Sequence, residues 1–117
     1  LVRPADKIHR NIQKEDRVLK KAIDKTTTAR AHLFIRGRVQ GVGYRAFTVR
    51  TASDMGLAGW VRNNYGDGVE TVFEGDRAAI EAAIERCNEG PFLSIVSEID
   101  VNWTEEPEGL TGFSVIY

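Results

Sequence analysis

Between a run that alternates like a strand and a run that repeats like a helix lies Gly37-Arg38-Val39-Gln40-Gly41-Val42-Gly43-Tyr44-Arg45, with three glycines in seven residues. No other stretch restricts the fold so strongly. Glycine reaches positive φ without a Cβ clash, so the backbone can turn sharply and aim successive N–H groups at one concave point. A helix start beyond it adds free amides and the positive end of a dipole. Arg45 stands where a guanidinium fork can meet a phosphate. One reading is a cradle for a tetrahedral oxyanion; the other is a tight strand-to-helix turn, which also favours glycine. On glycine content alone the turn is the favoured reading.

The flanks set the rest of the order. Ala31 to Arg38 reads as a strand, and Arg45 to about Met55 as a helix stopped by Gly56. Ala58–Asn63 and Val69–Glu74 read as two strands around the turn-rich Asn64-Tyr65-Gly66-Asp67-Gly68. Asp76 can cap a second helix carrying Ile80, Ala83, Ile84 and Cys87 at helical spacing, with Gly90-Pro91 ending it. Cys87 is then a buried core thiol. From Ile95 to Trp103 the chain alternates, with Ile95, Ile99, Val101 and Trp103 inward and Glu98, Asp100 and Asn102 outward. Phe113, Val115 and Tyr117 alternate as a last strand. This order predicts an α+β, ferredoxin-like βαββαβ fold, an antiparallel sheet with two helices on one face, plus a short C-terminal strand.

Residues 1–29 differ, being Lys-rich and free of Gly, with Ile8, Ile12, Leu19 and Ile23 as a thin helical stripe broken at Thr26-Thr27-Thr28. They predict a basic amphipathic helical extension ahead of a domain over residues 30–117; a poorly ordered tail is the competing reading. The first residue is Leu, as in a chain that was processed or cut from something longer.

Charge sharpens the picture. Residues 1–29 carry a net +4, residues 30–50 hold five arginines and no acid, and residues 51–117 carry three arginines against thirteen acids. An arginine island in an acidic body points to a local anion site rather than a nucleic-acid-coating surface, although a solvated face remains open on charge alone. At 117 residues the chain suits one compact domain, and no apolar run nears the ~18 residues of a membrane span. A lone cysteine implies no oxidising compartment, so a cytoplasmic setting is expected, and Cys87, His9 and His32 are too scattered for a zinc site.

Two nucleotide-binding fingerprints fail. A Walker A loop needs Lys-Ser/Thr after its last glycine, where this chain has Tyr44-Arg45. Gly41-Val42-Gly43-Tyr44-Arg45-Ala46 fits G-x-G-x-x-A, yet the next strand enters a hairpin and ends in Asn63-Asn64 rather than an acid. GRVQGVGYR, followed by a helix and then GWVRN, resembles the acylphosphatase family from about residue 31 to Tyr117. The resemblance implies hydrolysis of carboxyl-phosphate anhydrides to a carboxylate and inorganic phosphate, with no metal or cofactor. It also implies roles: Arg45 binds the phosphoryl group together with the loop amides of Arg38, Val39, Gln40, Gly41, Val42, Gly43 and Tyr44, and Asn63 orients the attacking water. On position alone the favoured reading of Asn63 is service to the turn, and the resemblance reverses that preference because Asn64 can serve the turn instead.

Such chemistry asks little of side chains. The leaving carboxylate has a conjugate acid near ~4, so it departs without a general acid. What remains is to place a water and to stabilise the charge on the phosphoryl oxygens. Arg38 and Arg62 either raise the local potential or are simply solvated. His32 is expected to be structural, and Trp60 and Phe34 to pack. The expected partner is a small acyl phosphate, without nucleic acid or membrane; a monomer is expected, with the N-terminal extension available for contacts. Two other classes compete. Leu33-Phe34-Ile35-Arg36-Gly37 faintly resembles an RNA-binding strand, but Val69–Glu74 carries two acids where that platform wants basic and aromatic residues. A non-catalytic phosphate-sensing domain of a longer protein is the third reading.

Overall fold

The computed structural model describes residues 7–11, 28–104 and 106–117. Its central strand, β2 (Thr28–Arg38), follows from strict alternation: Ala29, Ala31, Leu33 and Ile35 are buried, whereas Arg30, His32, Phe34 and Arg36 face the other way. Around it lie β1 (Ile8–Asn11), β3 (Ala58–Asn63), β4 (Val69–Asp76), β5 (Ile95–Thr104) and β6 (Phe113–Val115), in the sheet order β1-β5-β2-β4-β3-β6. Helices α1 (Tyr44–Met55) and α2 (Arg77–Glu89) cover the face that carries Leu33, Ile35, Val61, Phe73, Ile99 and Val101. Ile80, Ala83, Ile84 and Cys87 supply the buried stripe of α2, as their spacing predicts.

Helix ends follow local chemistry. The Asp76 carboxylate accepts from Ala79 N at the start of α2. Gly56, in the left-handed region, closes α1 by donating to Ala52 O and Ser53 O. Two parts of the sequence-based fold need correction. The sheet is mixed rather than antiparallel, because both border strands pair in parallel, β1 with β5 and β6 with β3. Residues 8–11, read as the start of a helix, form β1. The open edge of β5 supplies ladder partners and Ile8 drops into the core, which outweighs a weak helical stripe. Ile12, Leu19 and Ile23, the rest of that stripe, lie outside the described residues.

The third correction is one of facing. Ile95 was expected inward, but it is 61% exposed and Val96 is buried instead. The β2–β5 pairing shifts register between Arg36 and Gly37, so two residues of β5 advance against one of β2. Gly37 permits this bulge: with φ at 121°, it lets Ile95 O approach a point 2.1 Å from where a Cβ would sit. Beyond the bulge the chain leaves the sheet and enters the glycine loop.

The opposite face of the sheet carries ion pairs instead of helices. Arg30 donates to Glu74 at 2.7 Å, Arg62 and His32 contact Glu70 at 2.8 and 2.5 Å, and Arg36 pairs with Asp100. Burial would raise the Glu70 carboxyl above its ordinary range, but hydrogen bonds and charge from Arg62 and His32 outweigh it and hold the group below. Glu74 is likewise lowered against the effect of burial, by amides of Glu108 and Leu110 and by Arg30.

Candidate active site

The glycine loop and the end of β3 meet at the same end of the sheet. Val39, 1% exposed, pins the loop to the core, and its N–H closes on Gly37 O at 3.1 Å. Gly41 and Gly43 then take positive φ of 74° and 81°, with nothing within 4 Å of a notional Cβ at either. Gly43 is the N-cap of α1 and brings no capping side chain, and the first turn holds no acid. The first hydrogen bond into the helix runs from Phe47 N to Gly43 O, which leaves the amides of Tyr44, Arg45 and Ala46 ahead of it. Residues 40–43 form a turn, and the amides of Tyr44, Arg45 and Ala46 beyond it have no intrahelical acceptor. Helix α2, capped by Asp76, shows what a purely structural helix start looks like in the same chain.

Arg45, in the first turn of α1, lies beside these amides. It makes no ion pair among the described residues, whereas Arg30, Arg36, Arg62 and Arg86 each meet a carboxylate. Its guanidinium carbon instead sits 5.3 Å from the ring centroid of Tyr117. Asn63 comes from the helix-covered face of β3, in step with Gly59 and Val61. Its Oδ1 is buried and has no hydrogen-bond partner, an unusual condition for a polar atom. A cavity of about 260 Å³ joins these parts, lined by Val39, Gly41, Gly43, Tyr44, Arg45 and Ala46 on one side and Asn63, Val115 and Tyr117 on the other.

Of the residues expected to grip a phosphate, Val39, Gly41, Gly43, Tyr44 and Arg45 line this cavity with Asn63. Arg38, Gln40 and Val42 do not. Arg38 ends β2 exposed, Val42 packs on the core, and the Gln40 side chain turns to carbonyls of the β3–β4 hairpin. Arg62 and His32 stand on the opposite face, committed to Glu70. Trp60 and Phe34 pack there around His32. The sequence marks Tyr117 only as a strand residue. Nothing local marks it for the site, because it is brought there by parallel pairing of β6 with β3.

Neither buried ionisable group nearby offers acid–base or nucleophilic chemistry. The Tyr44 hydroxyl donates to Cys87 O at 2.5 Å, and burial pushes its pKa well above the phenol range. Burial also pushes the Cys87 thiol up to about 12, despite a hydrogen bond from Tyr44 that lowers it. Among the described residues no three of His, Cys, Asp and Glu are grouped to hold a metal ion, and no helix is long and apolar enough to cross a membrane.

A family model for acylphosphatase matches residues 31–115. An acylphosphatase of Nostoc sp. is 54% identical over 86 residues, covering 74% of this chain and 84% of the relative. An acylphosphatase of Thermococcus kodakarensis is 52% identical over 87 residues, covering 74% and 94%. The crystal structure of acylphosphatase from Bacillus subtilis is similar with a TM-score of 0.75 at 36% identity, over 76% of this chain and 99% of that one.

Proposed function

This chain belongs to the acylphosphatase family, and from that premise we propose that it hydrolyses acyl phosphates with Arg45 and the amides of the 38–44 loop holding the phosphoryl group while Asn63 aims the water. One observation carries the site assignment. A single cavity gathers an uncapped helix N-terminus and, among the described residues, an arginine without a carboxylate partner and a carboxamide oxygen without a donor.

The steps follow from charge and geometry. The phosphoryl oxygens, negative at the start and throughout bond exchange, lie against N–H groups and the guanidinium, which are oriented before the substrate arrives. Water between Asn63 and phosphorus donates one hydrogen to Oδ1 and can accept from the same carboxamide's NH₂, so a lone pair faces phosphorus. The water oxygen bonds to phosphorus as the P–O bond to the acyl group breaks. The carboxylate leaves with that electron pair, and the water's proton passes to a phosphate oxygen. No step needs a general acid, because the leaving group is already a stable anion at neutral pH. The reading includes a cytoplasmic monomer that uses no metal or cofactor. A single, buried thiol supports the compartment, and the chemistry of the leaving group supports hydrolysis without a metal.

The test is hydrolysis of benzoyl phosphate followed by release of phosphate. Wild-type protein is expected to turn over at the same rate with and without a chelator. Arg45→Ala and Asn63→Ala are each expected to lose on the order of 10²-fold or more in kcat/KM with melting temperatures preserved. Near-normal turnover by Asn63→Ala removes that residue from the reaction, and sensitivity to chelator replaces the metal-free scheme.

A further inference from the structure

Gln40 belongs to the glycine loop by sequence, yet its side chain does not line the cavity. Its Nε2 donates to Asn64 O and to Gly68 O, each at 2.8 Å. Those carbonyls stand at the two ends of the turn that Asn64 N closes by donating to Gly68 O at 3.0 Å. Asn63 is the residue just before that turn and pairs with Val69 at the mouth of the hairpin. No other hydrogen bond among the described residues joins residues 39–43 to residues 63–69.

The two halves of the site therefore come from different pieces of chain, a loop after β2 and the root of a hairpin between β3 and β4. Their separation decides whether a water held by Asn63 lies in line with a phosphorus held by the loop. We infer that the Gln40 side chain is a positioning residue: it straps the phosphate loop to the hairpin and thereby fixes Asn63 relative to the bound phosphoryl group. The inference rests on the proposed site. Glutamine suits the task because one carboxamide nitrogen carries two hydrogens for two carbonyls. Glutamate at this position would present oxygen to oxygen, methionine would fill the space without donors, and asparagine would fall one methylene short.

The consequence is a particular kinetic split. Phosphate binding depends on main-chain amides, that of Gln40 included, and on Arg45, none of which is a partner of the Gln40 side chain, whereas turnover depends on alignment, where an error near 1 Å costs up to about 10²-fold. Gln40→Met is expected to lower kcat on benzoyl phosphate about 10-fold or more. The inhibition constant for inorganic phosphate should stay within about 3-fold. Placed on an Asn63→Ala background, the same change should cost less than about 3-fold further, because the group it positions is gone. Gln40→Asn is expected to show the same split more weakly, and it carries the test if the methionine variant fails to fold.

An unchanged kcat in both Gln40 variants overturns the inference. So does a parallel loss of turnover and phosphate binding, or an equal further loss with Asn63 already removed. A readout independent of hydrolysis is the side-chain NH₂ signal of Asn63 in ¹H–¹⁵N spectra, which should shift between wild type and the Gln40 variants. If that signal moves while wild-type protein fails to turn over, the strap stands and the proposed reaction falls. If it does not move, the strap falls whatever the activity.

Discussion

Arg45, like Arg38 and Arg50, meets no carboxylate among the described residues, but of the three it alone lines the cavity. Arg30, Arg36 and Arg62 are neutralised on the far face of the sheet, so their charge is spent on stability, while Arg45 keeps its charge beside uncapped amides. A guanidinium there offers two parallel N–H donors and a planar face for the Tyr117 ring. Lysine offers neither. Arg45→Lys is therefore expected to weaken inhibition by inorganic phosphate and to lower kcat/KM by about 10- to 10²-fold while the fold persists; unaltered inhibition would mean that charge alone suffices. The positions of Arg45 and Asn63 are legible in the sequence because each closes a short motif, and the structure brings both to one cavity. Gln40 is legible only as a loop residue, since its carbonyl partners lie 24 and 28 positions away. Tyr117 is not legible at all, because a parallel ladder rather than a local pattern delivers it.

At the scale of elements, the helices and the β3–β4 hairpin could be read nearly to the residue, because their caps and turns are local. Asp76, Gly56 and the Asn64–Gly68 cluster act on their immediate neighbours. The failures share one cause. Strand β1 pairs with a partner about 91 positions away, and the facing of Ile95 depends on a bulge that involves both β2 and β5. Neither leaves a periodic mark. That bulge also hands the chain over from sheet to loop, and its tolerance is narrow. In Gly37→Ala the new methyl would sit 2.1 Å from Ile95 O at a φ of 121°. A loss of roughly 2–4 kcal/mol is expected, seen as a lower urea midpoint with an unchanged slope. A midpoint equal to wild type would show that the backbone can relax there without cost.

For the molecule as a whole, the sheet separates two kinds of electrostatics. The helix-side end keeps unmatched positive charge, and the open face keeps matched pairs. Glu70 and Glu74 titrate below the ordinary carboxylate value of 4.5 in the folded state. Their contribution is thus complete above the unfolded value and disappears as pH falls through the lowered folded values. Stability against urea should stay level from neutrality down to about pH 5 and drop below it. Glu74→Gln is expected to destabilise at pH 7, on the order of 3 kcal/mol because Arg30 keeps only the more distant, exposed Glu108 as a charge partner, and to flatten the acid decline. An acid decline as steep as wild type in that variant would place the sensitivity elsewhere.

Strand β1 adds only four residues, yet it occupies the rim of a ten-residue strand. At the other rim, β6 offers three residues, too brief a template for a stranger to zip onto. Detaching Ile8–Asn11 would bare the stretch Ile99–Asn102 that it now pairs with and join it to the remainder of that border, the sort along which copies polymerise.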